Sequence, residues 1–180
     1  MPTFILSLFI SFFIPFSLSN LHAEETIPPL PVKLTVQTFS SENKTFLALS
    51  FENFPNWHTY WKNPGDAGLA IKNQFYLNKK EIKLNEEEWP APRRFIENGT
   101  QWAYGYMGSY TLFYRIEKSD VNKISGKELT LNSSWLVCKH ICIPGQKEIH
   151  FKIQSGKISN LDGETLPKLS DDELSSRFLN

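Results

Sequence analysis

The chain has little cysteine, little methionine and no excess charge of either sign. Its 180 residues hold two Cys and two Met, and 19 acidic side chains balance 19 Lys and Arg. A net charge of zero, with no Lys/Arg stripe, argues against a nucleic-acid partner. No Gly-x-Ser-x-Gly is present, and the scattered Ser and His residues give no reason to propose a hydrolase triad. Gly65-Asp66-Ala67-Gly68 lacks the pattern of a phosphate loop, and Glu86-Glu87-Glu88 reads as a solvated charge run with no second carboxylate partner. No internal repeat, low-complexity tract or Cys-x-x-Cys occurs, and nothing calls for a cofactor. Beyond residue 18 no segment is long and apolar enough to cross a bilayer.

The first 18 residues carry no charged side chain, and Leu21-His22-Ala23 precedes the acidic pair Glu24-Glu25. This pattern predicts a secretory signal peptide over residues 1–23, cut after Ala23, which directs the protein to export. The rival reading is an uncleaved anchor, against which stand Pro15 and the modest apolar length. No stable membrane span is expected once the signal is removed. Residues 24–31, with Pro28, Pro29 and Pro31, read as a Pro-rich leader without a fold of its own.

From residue 32 the pattern is alternation with period two. Val32-Lys33-Leu34-Thr35-Val36-Gln37 alternates, and Thr45-Phe46-Leu47-Ala48-Leu49-Ser50-Phe51 is nearly apolar, as in a central strand. Trp57-His58-Thr59-Tyr60-Trp61 is a third run, ended by Asn63-Pro64-Gly65-Asp66, and residues 70–77 make a fourth. Trp89-Pro90-Ala91-Pro92-Arg93-Arg94-Phe95 belongs in a loop or at a sheet edge, because proline supplies no ladder donor. Residues 102–106 and 110–116 read as a hairpin about Met107-Gly108-Ser109, and residues 149–153 close the sheet. No sustained helical period precedes residue 160. Short strands separated by turn signals predict an all-β, antiparallel β-sandwich over residues 32–158. The polar tail, 159–180, holds Ser170-Asp171-Asp172-Glu173, a capping pattern for a short helix docked on the sandwich or a frayed end.

Chemistry concentrates at Trp135-Leu136-Val137-Cys138-Lys139-His140-Ile141-Cys142-Ile143-Pro144-Gly145, which holds both cysteines. Four residues of extended strand would separate the two Cα atoms by about 13 Å, whereas a disulfide needs roughly 4.4–6.8 Å. The segment between them must therefore turn if the bond exists. An exported pair is expected to be oxidised. So short a loop removes only about 2 kcal/mol of unfolded-state entropy, against nearly 5 for a long one. Lys139 and His140 favour a thiolate and thus exchange. Three readings stay open: a redox-active pair, an inert staple, or a metal site. The last is Cu(I) on Cys138, Cys142 and His140, with His58, His150 and Met107 as further ligands. The aromatics around His58 are more simply packing residues than a ligand platform, and His58 itself a hydrogen-bonded structural histidine.

Four blocks in order carry a resemblance: residues 57–68, 89–95, Tyr104-Gly105-Tyr106 and 135–144. Together they resemble the N-terminal periplasmic domain of the DsbD-type thiol:disulfide interchange proteins, and within these the suppressor-of-copper-sensitivity branch. The resemblance implies an immunoglobulin-like sandwich with Cys138 and Cys142 as the exchanging pair, flanked by Trp57, Tyr60, Trp61 and Trp135 as shielding aromatics. It implies a thioredoxin-like redox domain or a DsbD-like membrane electron conduit as donor, and disulfide-bearing periplasmic proteins as acceptors. Cytochrome c maturation and copper tolerance are the settings it suggests. Members of the family continue into a membrane domain and a thioredoxin-like domain, so the expectation for this sequence is a stand-alone exchange domain. Gly145 departs from the acidic residue of many relatives. The competing expectation is a copper-handling or partner-docking module that uses the same fold.

Overall fold

The computed structural model describes residues 30–162 and 169–178. The predicted signal peptide, and all but the end of the predicted leader, lie outside the described residues. In chain order the elements are β1 (Val32–Ser41), β2 (Lys44–Asn53), β3 (His58–Gly65), β4 (Lys72–Leu77), β5 (Lys80–Ile82), β6 (Asn85–Glu86) and β7 (Arg93–Glu97). There follow β8 (Gln101–Met107), β9 (Ser109–Ile116), α1 (Lys118–Ile124), β10 (Glu128–Cys138), β11 (Cys142–Gln154), β12 (Lys157–Asn160) and α2 (Asp171–Phe178). The architecture is the expected one: an immunoglobulin-like antiparallel sandwich with a short helix near its C-terminal end. One sheet has the order β1-β2-β9-β6 and the other β12-β11-β10-β3-β8-β7, with β4 and β5 attached along β10. No helix among the described residues is long and apolar enough to cross a membrane.

Alternation builds the core directly. Leu34 and Val36 of β1, Leu47, Leu49 and Phe51 of β2, and Leu112 of β9 face Leu129, Leu131, Trp135 and Val137 of β10 and Ile149 and Phe151 of β11, all buried. The near-continuous apolar run of β2 has a simple cause: both of its faces are covered. Phe46 and Ala48 point away from the main core and pack with Phe39, Phe113 and Leu174 of α2. Gln37 ties that helix down, since its side-chain amide donates to the Leu169 carbonyl and accepts from the Leu169 N–H. The predicted capping pattern is realised, with the Glu173 N–H donating to Ser170 Oγ at 3.2 Å.

Three local expectations are corrected. Residues 102–106 and 110–116 are not a hairpin: β8 pairs with β3 and β7, whereas β9 pairs with β2 and β6. Gly108, at φ 73°, carries the chain from one sheet to the other, and its carbonyl accepts from the Asn53 N–H. A sheet-to-sheet corner and a hairpin turn carry the same local signal. The third strand runs on through Pro64 to Gly65, because the ladder with β8 is broken between Tyr60 and Gly65 and needs no proline donor there. Helix α1 had no visible period because it is seven residues long and buries only Ile124. The proline-rich 89–95 segment does lead into an edge strand, β7.

Truncating Leu174, which is fully buried among phenylalanines, should cost about 2–5 kcal/mol. Urea unfolding of Leu174→Ala checks this, with a lowered midpoint expected.

Candidate functional site

The antiparallel register of β10 and β11 runs to its end at the pair Cys138 and Cys142. The Lys139 N–H donates to the Ile141 carbonyl at 3.0 Å across the tip, so the segment turns as the bond requires. The cysteines are joined by a disulfide, with Cα atoms 4.1 Å apart. Their exposure differs sharply. Cys138 is 2% exposed, whereas Cys142 lies open to solvent.

Strand alternation decides what surrounds the bond. On β10 and β3, Val137 pairs with Thr59 and Cys138 with His58. Val137 and Thr59 are completely buried on the core side, where Thr59 Oγ1 bonds the Tyr110 hydroxyl. Cys138 and His58 therefore stand on the opposite, outer face, together with Leu136 and Tyr60.

That outer face is closed by a bent hairpin. Glu97 of β7 pairs with Gln101 at one end of β8, and His58 of β3 pairs with Met107 at the other. In a flat sheet Glu97 and His58 would lie far apart, yet Glu97 Oε1 and His58 Nε2 are 2.7 Å from each other. The β7–β8 hairpin thus folds back over the outer face of β3. Gly105, midway along β8, permits the close approach, since a Cβ there would lie 2.0 Å from the Thr59 carbonyl oxygen. Phe95 arrives with the hairpin and places its ring 4.4 Å from the His58 imidazole. Gly68, at φ 89°, seals the other side of Tyr60, where an added Cβ would lie 2.1 Å from the ring.

The enclosed groups form a chain of hydrogen bonds. The Tyr60 hydroxyl lies 3.0 Å from Cys138 Sγ and can donate to it, and it also bonds the Glu97 carboxylate. Glu97 in turn holds His58, whose Nε2 is 3.4 Å from the same hydroxyl. Tyr60 is fully buried. Burial first, then the bond to Glu97 and the charge of that carboxylate, push its phenol far above the ordinary tyrosine range. The group is a fixed proton donor at any physiological pH. A ring nitrogen of His58, a Glu97 oxygen and Cys138 Sγ all lie within 4.8 Å of one another. With Cys138 reduced, that donor set fits a thiophilic metal.

A model of the N-terminal domain of thiol:disulfide interchange protein DsbD matches residues 25–153 of this chain. The chain belongs to that family. Among solved structures it is similar to the N-terminal periplasmic domain of ScsB from Proteus mirabilis, at 20% identity and a TM-score of 0.52. That match covers 69% of this chain and 48% of the other, so this chain spans about half of the solved one. No curated protein sequence matches it.

Within this DsbD-type domain the residues singled out from sequence divide into two groups. Cys138, Cys142 and Tyr60 come together. Trp57, Trp61 and Trp135 do not: they pack in, or against, the core between the sheets, because they occupy the opposite parity of β3 and β10. The place foreseen for them as covers of the disulfide is taken by Phe95, which packs with Tyr60, Ala103 and Cys138. Trp135 lies over Gly145, its cross-strand partner, where a Cβ would come within 2.3 Å of the indole nitrogen. This DsbD-type domain cannot accept a side chain there without moving the tryptophan. His140 is exposed at the hairpin tip beside the disulfide, and Met107 lines the same groove. His150 lies elsewhere, bonded to Thr130 and Glu148. Glu97 escaped the sequence reading. The alternation of Phe95 and Glu97 on one edge strand was the available signal, but nothing local shows that the strand folds over β3.

Tyr60, Tyr106, Tyr110 and Tyr114 all have phenols raised by burial. Ultraviolet titration at 295 nm should show four of the six tyrosines still protonated at pH 11 in the folded domain. Because the folded values lie above the unfolded value of about 10, their linkage costs nothing below that pH. Stability should fall above it, as the unfolded chain loses phenolic protons that the native state keeps.

Proposed function

We propose that this domain is a periplasmic thiol–disulfide exchanger. It passes reducing equivalents between a DsbD-like or thioredoxin-like donor and disulfide-bearing substrate proteins, through Cys138 and Cys142. The observation that carries the reading is the asymmetry of the pair, with Cys142 an exposed residue and Cys138 buried with its sulfur against the Tyr60 hydroxyl. Membership of the DsbD N-terminal family supports it, as does the periplasmic origin of the structurally similar ScsB domain.

The asymmetry supports a division of roles. A donor thiolate attacks the exposed Cys142 sulfur, forming a mixed disulfide as the Cys142–Cys138 bond breaks and Cys138 leaves as a thiolate. The Tyr60 hydroxyl faces that leaving sulfur and stabilises its charge. A second donor thiol then resolves the mixed disulfide, leaving the donor oxidised and both cysteines reduced. The reduced domain runs the sequence backwards on a substrate disulfide, with Cys142 attacking first.

A glutathione-redox titration of the full chain, read by thiol alkylation and mass, should place the pair between about −180 and −270 mV, where exchange proteins lie. A pair below about −300 mV would be a structural staple. In the same preparation, Cys138→Ser should accumulate mixed disulfides through Cys142, whereas Cys142→Ser should form few.

The arrangement of His58, Glu97 and Cys138 supports a second reading, a Cu(I) site in the reduced domain with Cys142 as a further thiolate. Tight Cu(I) uptake by the reduced protein, lost in both Cys138→Ser and His58→Ala, would bring this reading forward.

A further inference from the structure

We propose that the open edge of β11 is a docking strand for substrate. An extended, cysteine-bearing segment of a substrate protein pairs antiparallel with it and brings its cysteine opposite Cys142. This inference rests on the exchange reading and adds the kind of segment that the site accepts.

The ladder of β11 carries the argument. Its register with β10 runs without a shift from Lys152 opposite Glu128 to Cys142 opposite Cys138. On its other side β12 pairs only with residues 151–154. His150 is the next residue held there. Its N–H donates to Asp162 Oδ2 at 2.8 Å, and its carbonyl accepts from the Leu161 N–H at 2.8 Å. His150 thus turns both backbone groups away from β10, and by alternation so do Glu148, Gln146, Pro144 and Cys142. All four of these residues are exposed, and no strand among the described residues covers their row. Such a row is a ready template for a further strand.

The row ends at the reacting residue, so an added strand continues the exchange site. A residue opposite Cys142 would form a hydrogen-bonded pair with it, with Cα atoms about 5.5 Å apart. A disulfide spans roughly 4.4–6.8 Å. A substrate cysteine at that place, on the same face as Cys142, therefore reaches its sulfur without backbone movement. A slip of one residue would turn that cysteine to the opposite face. The residues four and six before it lie opposite Gln146 and Glu148 and exchange backbone bonds with them. Pro144 offers only a carbonyl, which keeps the edge from pairing along its whole length.

The core-side parity sets a preference. Ile143 packs, partly buried, against the core, so an apolar residue just before the substrate cysteine finds a neighbour there. Trp135 lies over Gly145 with its Nε1–H buried and without an acceptor among the described residues. Buried indole N–H groups ordinarily have a partner, and the substrate residue opposite Gly145 stands on that same face.

The exchange balances. The Cys142 thiolate attacks the docked cysteine's sulfur, the substrate disulfide breaks, and its other sulfur leaves as a thiolate with the electron pair. The Cys138 thiolate then attacks Cys142, the Cys138–Cys142 bond forms, and the docked cysteine leaves as a thiolate. The domain loses two electrons and the substrate gains them, and the two protons released by Cys138 and Cys142 match the two thiols formed.

The test uses a peptide of alternating Thr and Val ending in Val-Cys, with six residues before the cysteine, which is capped as a mixed disulfide with thionitrobenzoate. The capping group leaves readily, and its release is followed after mixing with the reduced full chain. An N-methyl group on the fourth residue before the cysteine, whose N–H would bond Gln146, should slow release about tenfold. The same group on the third residue, whose N–H points away from the edge, should leave it within about twofold. Gln146→Pro removes an outward N–H and spares the ladder with β10. It should slow the unmethylated peptide about fivefold and leave reaction with 5,5′-dithiobis(2-nitrobenzoate) within about twofold. Equal rates for the three peptides, or slowing by the third-residue methyl alone, would overturn the docking strand while leaving exchange intact. Should Gln146→Pro fail to fold or slow both reagents alike, the methylated peptides on the wild-type chain decide. Mass analysis of the product separates the two readings. A peptide that stays on Cys142, with no Cys138–Cys142 bond formed, would remove the exchange reading and this inference with it.

Discussion

Strands β3 and β10 each face two ways, and the rest of the molecule depends on keeping those faces apart. Thr59 and Val137 turn inward and are completely buried between the sheets. His58, Tyr60 and Cys138 turn outward and meet a polar cluster. A slip of one residue in their pairing would send the carboxylate-bonded tyrosine into an apolar core and bring Thr59 and Val137 out beside the disulfide. The cost of burying unpaired polar groups makes that register unacceptable. The core and the site therefore hold each other in place.

The outer face is unusual for a sandwich because it is not left to water. The β7–β8 hairpin doubles back across it, bending at Gly105 where β8 comes against the Thr59 carbonyl. The bend lowers the local dielectric around a phenol, a carboxylate, an imidazole and a sulfur. In such surroundings hydrogen bonds strengthen and lone charges become expensive. The same covering leaves Cys138 only 2% exposed. Cys142, at the rim, escapes that covering. One disulfide thus has two chemically different ends.

Much of this was legible beforehand. The period-two runs named most of the core strands, and the nearly apolar second run marked a central one. Ser170 to Glu173 announced the helix that covers one of its faces. The position of the cysteines at the end of a strand, with a required turn between them, was likewise readable from residue spacing and the length of an extended chain. The resemblance added that the sandwich is immunoglobulin-like. Aromatic clustering around the cysteines pointed to the right neighbourhood but misassigned its members. Trp57, Trp61 and Trp135 are close to the site in sequence, and strand parity sends them to the other face.

What the sequence by itself determined is most of the core strands and the C-terminal helix, because hydrophobic periodicity, proline placement and capping act over a few residues and leave a local imprint. Only the tertiary structure decided which strand joins which sheet at Gly108, and that Glu97 lies on His58. Both outcomes are set by packing between segments far apart in the chain. A glycine corner or an edge-strand glutamate looks the same whichever partner it finally meets. The disulfide was visible as two letters, and its chemical environment exists only where β3, β7 and β10 converge.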